Sequence, residues 1–225
     1  MAIKSFKGGA HIPNYKSFTD DIEITKMPIP DRVVIPMLQC SGDPCEPLVE
    51  VGDRVKVGQK IGDSPEFFSC PVHSSVNGVV EEIETLPYCS GEDAKSVIIR
   101  VEGEEQDFKP KFKRDPKSMS REEIIDAIRE AGIVGMGGAA FPTHINIDTK
   151  EAVEYLILNG AECEPFLTCD HRIMVERTDA LLAGAEIIGS VIGAKKCLIG
   201  VEVNKPAAIE RLKEKTKDKD FFEIV

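Results

Sequence analysis

The chain has 225 residues, 42% of them hydrophobic, with 28 Lys and Arg against 39 Asp and Glu for a net charge of −11. That length gives one or two domains with a proper core, and the acidic balance excludes nucleic acid as a partner and adsorption to an anionic membrane. No apolar run reaches the roughly 18 residues needed to cross a bilayer. The longest, 180–194, reads as a packed helix.

Residues 1–16 carry no apolar signal-peptide segment, so a cytoplasmic location is expected, with membrane contact only through partners. The seven cysteines then read as free thiols. No Cys-x-x-Cys occurs, so no ferredoxin-type cluster and no metal site is expected. Cys40 with Cys45 is the pair that retains metal or redox interest.

The first 102 residues are dense in strand and turn signals. Over 47–84 they look like a lipoyl/biotinyl-type hammerhead. Gly52-Asp53 and Gly58-Gln59 read as tight turns, and Asn77-Gly78 as a hairpin turn. In carrier domains of that type a lysine sits on an exposed hairpin, here near Phe67. No lysine occurs between Lys60 and Lys95, which removes a swinging arm and leaves a structural or docking module. His73 reads as a ligand or as a hydrogen-bonded loop histidine. Residues 103–119, charged and containing Pro110 and Pro116, read as a linker.

Beyond the linker the pattern becomes α/β. Helix 120–131 opens on a capping box, Ser120-Arg121-Glu122-Glu123. A glycine loop 132–143 follows, then a short buried strand 154–158, an acidic loop 159–170 and helix 178–193. Strand 196–203, helix 206–217 and strand 221–225 close the chain. Strands alternating with helices imply a mostly parallel sheet. The expected architecture is an all-β barrel-sandwich hybrid over 1–102, a linker, and a Rossmann-like α/β domain over 120–225. The terminal run Phe221-Phe222-Glu223-Ile224-Val225 reads as a strand cut in mid-course, so a fragment of a longer protein is expected.

The glycine loop carries the chemistry. Gly135-Met136-Gly137-Gly138-Ala139-Ala140-Phe141-Pro142-Thr143 presents backbone N–H groups with few side chains to block approach. Such a turn forms either a tight structural loop or an anion-binding concavity. Gly135-x-Gly137-x-x-Ala140 matches the spacing of the dinucleotide fingerprint but follows a helix rather than a strand, so it is not that motif. Asn159-Gly160-Ala161-Glu162-Cys163-Glu164-Pro165 lies at a strand end, where ligands of open α/β sheets bind.

Together these two segments resemble the flavin/NADH-binding subunit family of respiratory complex I. The N-terminal segments narrow the resemblance to the RnfC family of the Rnf electron-transport complex. These are Phe6 to Pro13, Ile35 to Gln39, Val51 to Gln59 and Pro71 to Val80. The resemblance implies FMN and NAD(H) as cofactors, with two 4Fe-4S clusters in a further C-terminal region. It implies an ion-translocating oxidoreductase passing electrons between NAD(H), FMN and iron–sulfur centres. Its partners would be the other subunits of a membrane-bound complex on the cytoplasmic face. It assigns cofactor binding to Gly135, Gly137, Gly138, Ala139, Phe141, Asn159, Glu162 and Glu164, and leaves no residue as catalytic, since the hydride chemistry belongs to the cofactors.

Three positions depart from the pattern. Asn146 stands where a lysine is usual, Ala161 replaces an aspartate, and Cys163 replaces a serine. These departures, with the expected truncation, give an alternative: a catalytically incomplete docking or scaffold fragment. Arg172 reads as an anion contact or as part of a helix-capping ion pair.

Overall fold

Alternating apolar residues between Arg32 and Val101 fold as seven strands. They are β1 (Arg32–Pro36), β2 (Glu46–Pro47), β3 (Arg54–Val55), β4 (Lys60–Asp63), β5 (Val72–His73), β6 (Gly78–Pro87) and β7 (Asp93–Val101). The computed structural model describes residues 12–103 and 114–225. Two antiparallel sheets, ordered β1-β7-β6-β3 and β2-β4-β5, share one core of Ile35, Met37, Val55, Ile61, Val72, Val80, Val97 and Ile99. This is the expected barrel-sandwich arrangement, with Val97, Ile99 and Val101 of β7 alternating into the core.

The Asn77-Gly78 hairpin is a misreading. β5 pairs with β4, whereas β6 pairs with β3 and β7, so no hairpin turn joins β5 to β6. Gly78 is required by close approach instead: a Cβ there would meet the Arg100 carbonyl oxygen at 2.2 Å. Asn77 accepts the Val57 N–H on its Oδ1 at 2.9 Å.

Two helices pack with these sheets: α1 (Arg121–Glu130) and the short α2 (Thr143–Ile147), which periodicity did not reveal. The capping box forms as read, Ser120 Oγ accepting the Glu123 N–H and Glu123 accepting the Ser120 N–H. Arg129 of α1 donates to Asp63 Oδ1 at 3.0 Å and to the Ser64 carbonyl at 2.9 Å. Packing therefore groups α1 and the glycine loop with the strands, in a unit spanning Met27–Thr149. Residues 104–113 of the linker read from sequence lie outside the described residues.

The second unit combines residues 12–26 with Lys150–Val225. Its elements are β8 (Tyr155–Gly160), α3 (Cys169–Glu176), α4 (Thr178–Ile192), β9 (Lys196–Val201), α5 (Pro206–Thr216) and β10 (Phe222–Ile224). The sheet is parallel throughout, ordered β10-β9-β8. Its core holds Met174, Leu182, Ala185, Cys197, Ile199, Ala208, Leu212 and Phe222.

Two expectations need correction here. β8 is not a buried strand: it is an edge strand whose Tyr155 and Ile157 are exposed, so only one face of it reaches the core. The acidic loop also ends earlier than read, because α3 begins at Cys169. α4 stops at Gly193, in the left-handed region at φ 69°, as the glycine suggested. Among the described residues no helix is long and apolar enough to cross a membrane.

Candidate functional site

The glycine loop is a closed excursion. An isolated antiparallel bridge joins Val134 to Pro142, the Gly135 N–H donates to the Phe141 carbonyl at 2.9 Å, and Thr143 N–H to Ile133 at 3.1 Å. A further bond, Ser41 N–H to the Ala140 carbonyl at 2.9 Å, ties the loop to the strand-rich part of its own unit. Phe141 is half-buried and meets Phe68 edge-on at 5.9 Å, so its ring supports the loop from beneath.

Between these ties, Gly135 to Ala139 are exposed. Among the described residues, no backbone hydrogen bond uses the N–H groups of Met136, Gly137, Gly138 or Ala139. Gly138 sits at φ 95°, where a side chain is strained, and Ala140 at φ 47°. At Gly137 neither φ nor any neighbour demands glycine: a Cβ there would have open space around it. A run of accessible donors with two adjacent glycines at its centre fits a group bearing anionic oxygens.

The acidic loop lies in the other unit and is built differently. Asn159, exposed as the penultimate residue of β8, accepts the Ala161 N–H on its Oδ1 at 3.1 Å. Glu164 is exposed. Glu162 is 2% exposed and sits at the N-terminus of α3, accepting the Asp170 N–H at 2.8 Å. Two buried lysines flank it: Lys205 Nζ at 3.5 Å and Lys16 Nζ at 3.9 Å. Burial alone would raise the Glu162 pKa. The Asp170 N–H, the Cys169 thiol and the two ammonium groups outweigh it and hold the carboxyl below its ordinary value. Sequence reading missed both lysines, and no local signal marks them.

Lys16 comes from the N-terminal segment, which the sequence assigned to the β-rich module. Its ammonium donates to the carbonyls of Glu164 at 2.9 Å and Leu167 at 2.6 Å. The Phe166 N–H donates to the Asn14 carbonyl at 2.8 Å, and Thr168 bonds Thr19 hydroxyl to hydroxyl at 2.8 Å. Arg172 is spent on structure: it pairs with Glu176 at 2.6 Å and donates to the Asp20 carbonyl at 3.0 Å. Of its two readings, the structure shows the ion pair.

One group of three metal-type ligands occurs among the described residues: Glu162, Cys169 and Asp170, with ligand atoms within 4.8 Å of one another. Two lysines already neutralise its buried carboxylate, which leaves little attraction for a cation. Cys45 is buried and donates to the Cys70 carbonyl at 3.1 Å. Cys70 lies 3.6 Å from His144 Nδ1, its thiol pushed up to about 11 by burial first and by Cys40 beside it.

Comparison with known proteins matches residues 4–104 to the RnfC barrel sandwich hybrid domain and residues 128–224 to the Nuo51 FMN-binding domain. The C subunit of the proton-translocating ferredoxin:NAD(+) oxidoreductase complex of Clostridium ljungdahlii is 41% identical over 215 residues. That alignment covers 94% of this chain and 47% of the relative. The C subunit of the Na(+)-translocating ferredoxin:NAD(+) oxidoreductase complex of Acetobacterium woodii is also 41% identical, over 92% of this chain and 48% of its own. The C subunit of the ion-translocating oxidoreductase complex of Rhodobacter capsulatus is 38% identical over 92% of this chain and 41% of its own. The chain thus spans about half the length of the curated relatives it matches.

Proposed function

Because the chain belongs to the RnfC family of ion-translocating oxidoreductase complexes, we propose that it is the FMN- and NADH-handling part of an RnfC-type subunit. The observation that carries this reading is the row of exposed N–H groups at 136–139, free of backbone partners and centred on Gly137 and Gly138, inside the match to an FMN-binding domain.

The N–H groups of Gly137, Gly138 and Ala139 would hold phosphate or ribityl oxygens, Gly135 and Phe141 fixing the loop that presents them. Asn159 and the exposed Glu164 would offer polar contacts to the flavin or nicotinamide. Glu162, buried and neutralised, would set the conformation of the segment carrying Glu164 instead of touching the ligand. FMN supplies, when bound, the exchange between two-electron and one-electron chemistry. The residues of this chain bind and orient it. Electrons would then pass to iron–sulfur centres carried outside these 225 residues. The partners would be the other subunits of a membrane complex, with this part peripheral on its cytoplasmic face.

Titration with FMN, read by quenching of flavin fluorescence, tests the reading. Saturable quenching is expected, lost in Gly138→Arg and weakened at least tenfold, about 1.4 kcal/mol, in Gly137→Leu, which strains no backbone. Quenching that both variants leave unchanged would remove the flavin from the loop, and absence of quenching in the parent chain would overturn the assignment.

A further inference from the structure

The unit containing the acidic loop carries a surface feature that flavin binding does not use. Tyr15, Phe166 and Phe18 are 48%, 57% and 64% exposed, yet their rings are ordered against one another. Centroids lie 5.0, 6.2 and 6.4 Å apart and the planes agree within 13°. A column of three rings would hold the outer pair about 10 Å apart at this spacing. The three therefore form a triangular terrace of exposed rings. Ile22 and Leu167 extend it as exposed apolar residues of the same two segments.

The terrace is held in place against local preference. Tyr15 and Phe166 both adopt the left-handed region, at φ 50° and 69°, where bulky residues are outliers. Backbone and side-chain bonds fix them there: Phe166 N–H to Asn14, Thr19 Oγ1 to the Phe166 carbonyl at 3.3 Å, and the Lys16 ammonium beneath. Strain that surrounding bonds hold in place, at an exposed position, marks a functional surface. Contiguous exposed apolar area of this kind marks association, and aromatic residues are enriched in such interfaces.

The rim identifies the occupant. Asp20, Asp21 and Glu23 lie within five residues after Phe18, and Asp170 follows Phe166 by four. None of the four takes part in an ion pair among the described residues. Two of the basic groups of these segments are already engaged: Lys16 is buried on Glu162, and Arg172 is paired with Glu176. An apolar centre with an unneutralised acidic rim fits a polypeptide segment that presents apolar side chains flanked by Lys or Arg. It repels anionic lipid, and it repels a second copy of this chain, whose own terrace is equally acidic.

We propose that the Tyr15–Phe18–Phe166 terrace is the docking surface for such a basic, apolar segment of another subunit. The proposal does not depend on flavin occupancy. To test it, Phe18 is replaced by p-benzoyl-phenylalanine in the subunit assembled in its membrane complex, and the photo-crosslinked peptide is sequenced. The expected product joins position 18 to a different polypeptide, at a segment with Lys or Arg beside apolar residues. The crosslink should fall about tenfold when Asp20→Lys, Asp21→Lys and Glu23→Lys are combined, with a smaller fall for Asp21→Asn with Glu23→Gln. An unchanged thermal midpoint and unchanged FMN quenching in the milder variant separate loss of docking from misfolding and from failure of the flavin reading. A crosslink to lipid, to a second copy or to an acidic segment would overturn the proposal. So would no crosslink, or a yield indifferent to the charge changes.

Discussion

Replacing Lys16 by methionine removes one ammonium and keeps most of the buried stem. In the native chain that ammonium donates to two carbonyls, Glu164 at 2.9 Å and Leu167 at 2.6 Å, and stands 3.9 Å from Glu162 Oε2. Hydrogen bonds from a charged donor contribute about 1.5–3 kcal/mol each, so the pair is worth roughly 3–6 kcal/mol before water takes over. Glu164 and Leu167 are themselves exposed, and rehydration of their carbonyls should return about half of that. A net loss of about 1.5–3 kcal/mol remains, or a fall in Tm of roughly 3–12 °C for a chain of this length. Calorimetry measures it, and hydrogen exchange localises it: amides over 161–170 should lose protection while those of β6 and β7 keep theirs.

The substitution also changes the acid limb. The folded Glu162 pKa lies below its free value, so its contribution to stability is present above the ordinary glutamate pKa of about 4.3. That contribution is lost as pH falls through the lower folded value. Losing Lys16 removes one of the cations that lower this pKa, so Lys16→Met should begin acid unfolding at higher pH than the parent chain. A Tm within about 1 °C of the parent, with loop protection and the acid limb unmoved, would refute the view that Lys16 clasps the acidic loop.

Ser120→Ala removes half of the capping box on α1 and should cost about 1 kcal/mol, seen as a Tm lower by roughly 2–4 °C. Gly78→Ala places a Cβ 2.2 Å from the Arg100 carbonyl oxygen. It should destabilise the strand-rich unit by about 3 kcal/mol, and a loss under about 0.5 kcal/mol would show that the β6–β7 pairing is looser than described. Brief iodoacetamide treatment at about pH 8, followed by mass spectrometry, should label Cys89 and Cys163 and spare buried Cys45, Cys70 and Cys197. Burial and the hydrogen bond to Glu162 raise the thiol pKa of Cys169, so it should react more slowly than its exposure suggests. Labelling of Cys197 in the folded chain would contradict a thiol held at about 11 by complete burial.

Local chemistry was legible in the sequence wherever it decides structure by itself. The capping box at Ser120–Glu123, the glycine stop at Gly193 and the βαβ alternation beyond residue 150 all follow from interactions within a few residues. Glycine-rich backbone at 135–139 is likewise a property of composition: with no Cβ at 135, 137 and 138 the N–H groups there remain approachable wherever the loop is placed. Periodicity failed at β8, because an apolar run does not reveal how many of its faces a fold will cover. It failed at Gly78, because a glycine kept for cross-strand contact looks the same as one kept for a turn.

What only the tertiary structure decided concerns charge and company. Glu162 reads in sequence as one acid among several in a ligand-facing loop. Folding buries it between Lys16 and Lys205, one contributed by an N-terminal segment about 146 residues upstream, the other by the residue just before α5. No local pattern encodes such a meeting, because a charged side chain can be buried only where a distant partner arrives to neutralise it. The same return of the N-terminal segment sets Tyr15 and Phe18 beside Phe166. It turns three unremarkable aromatic positions into one ordered surface.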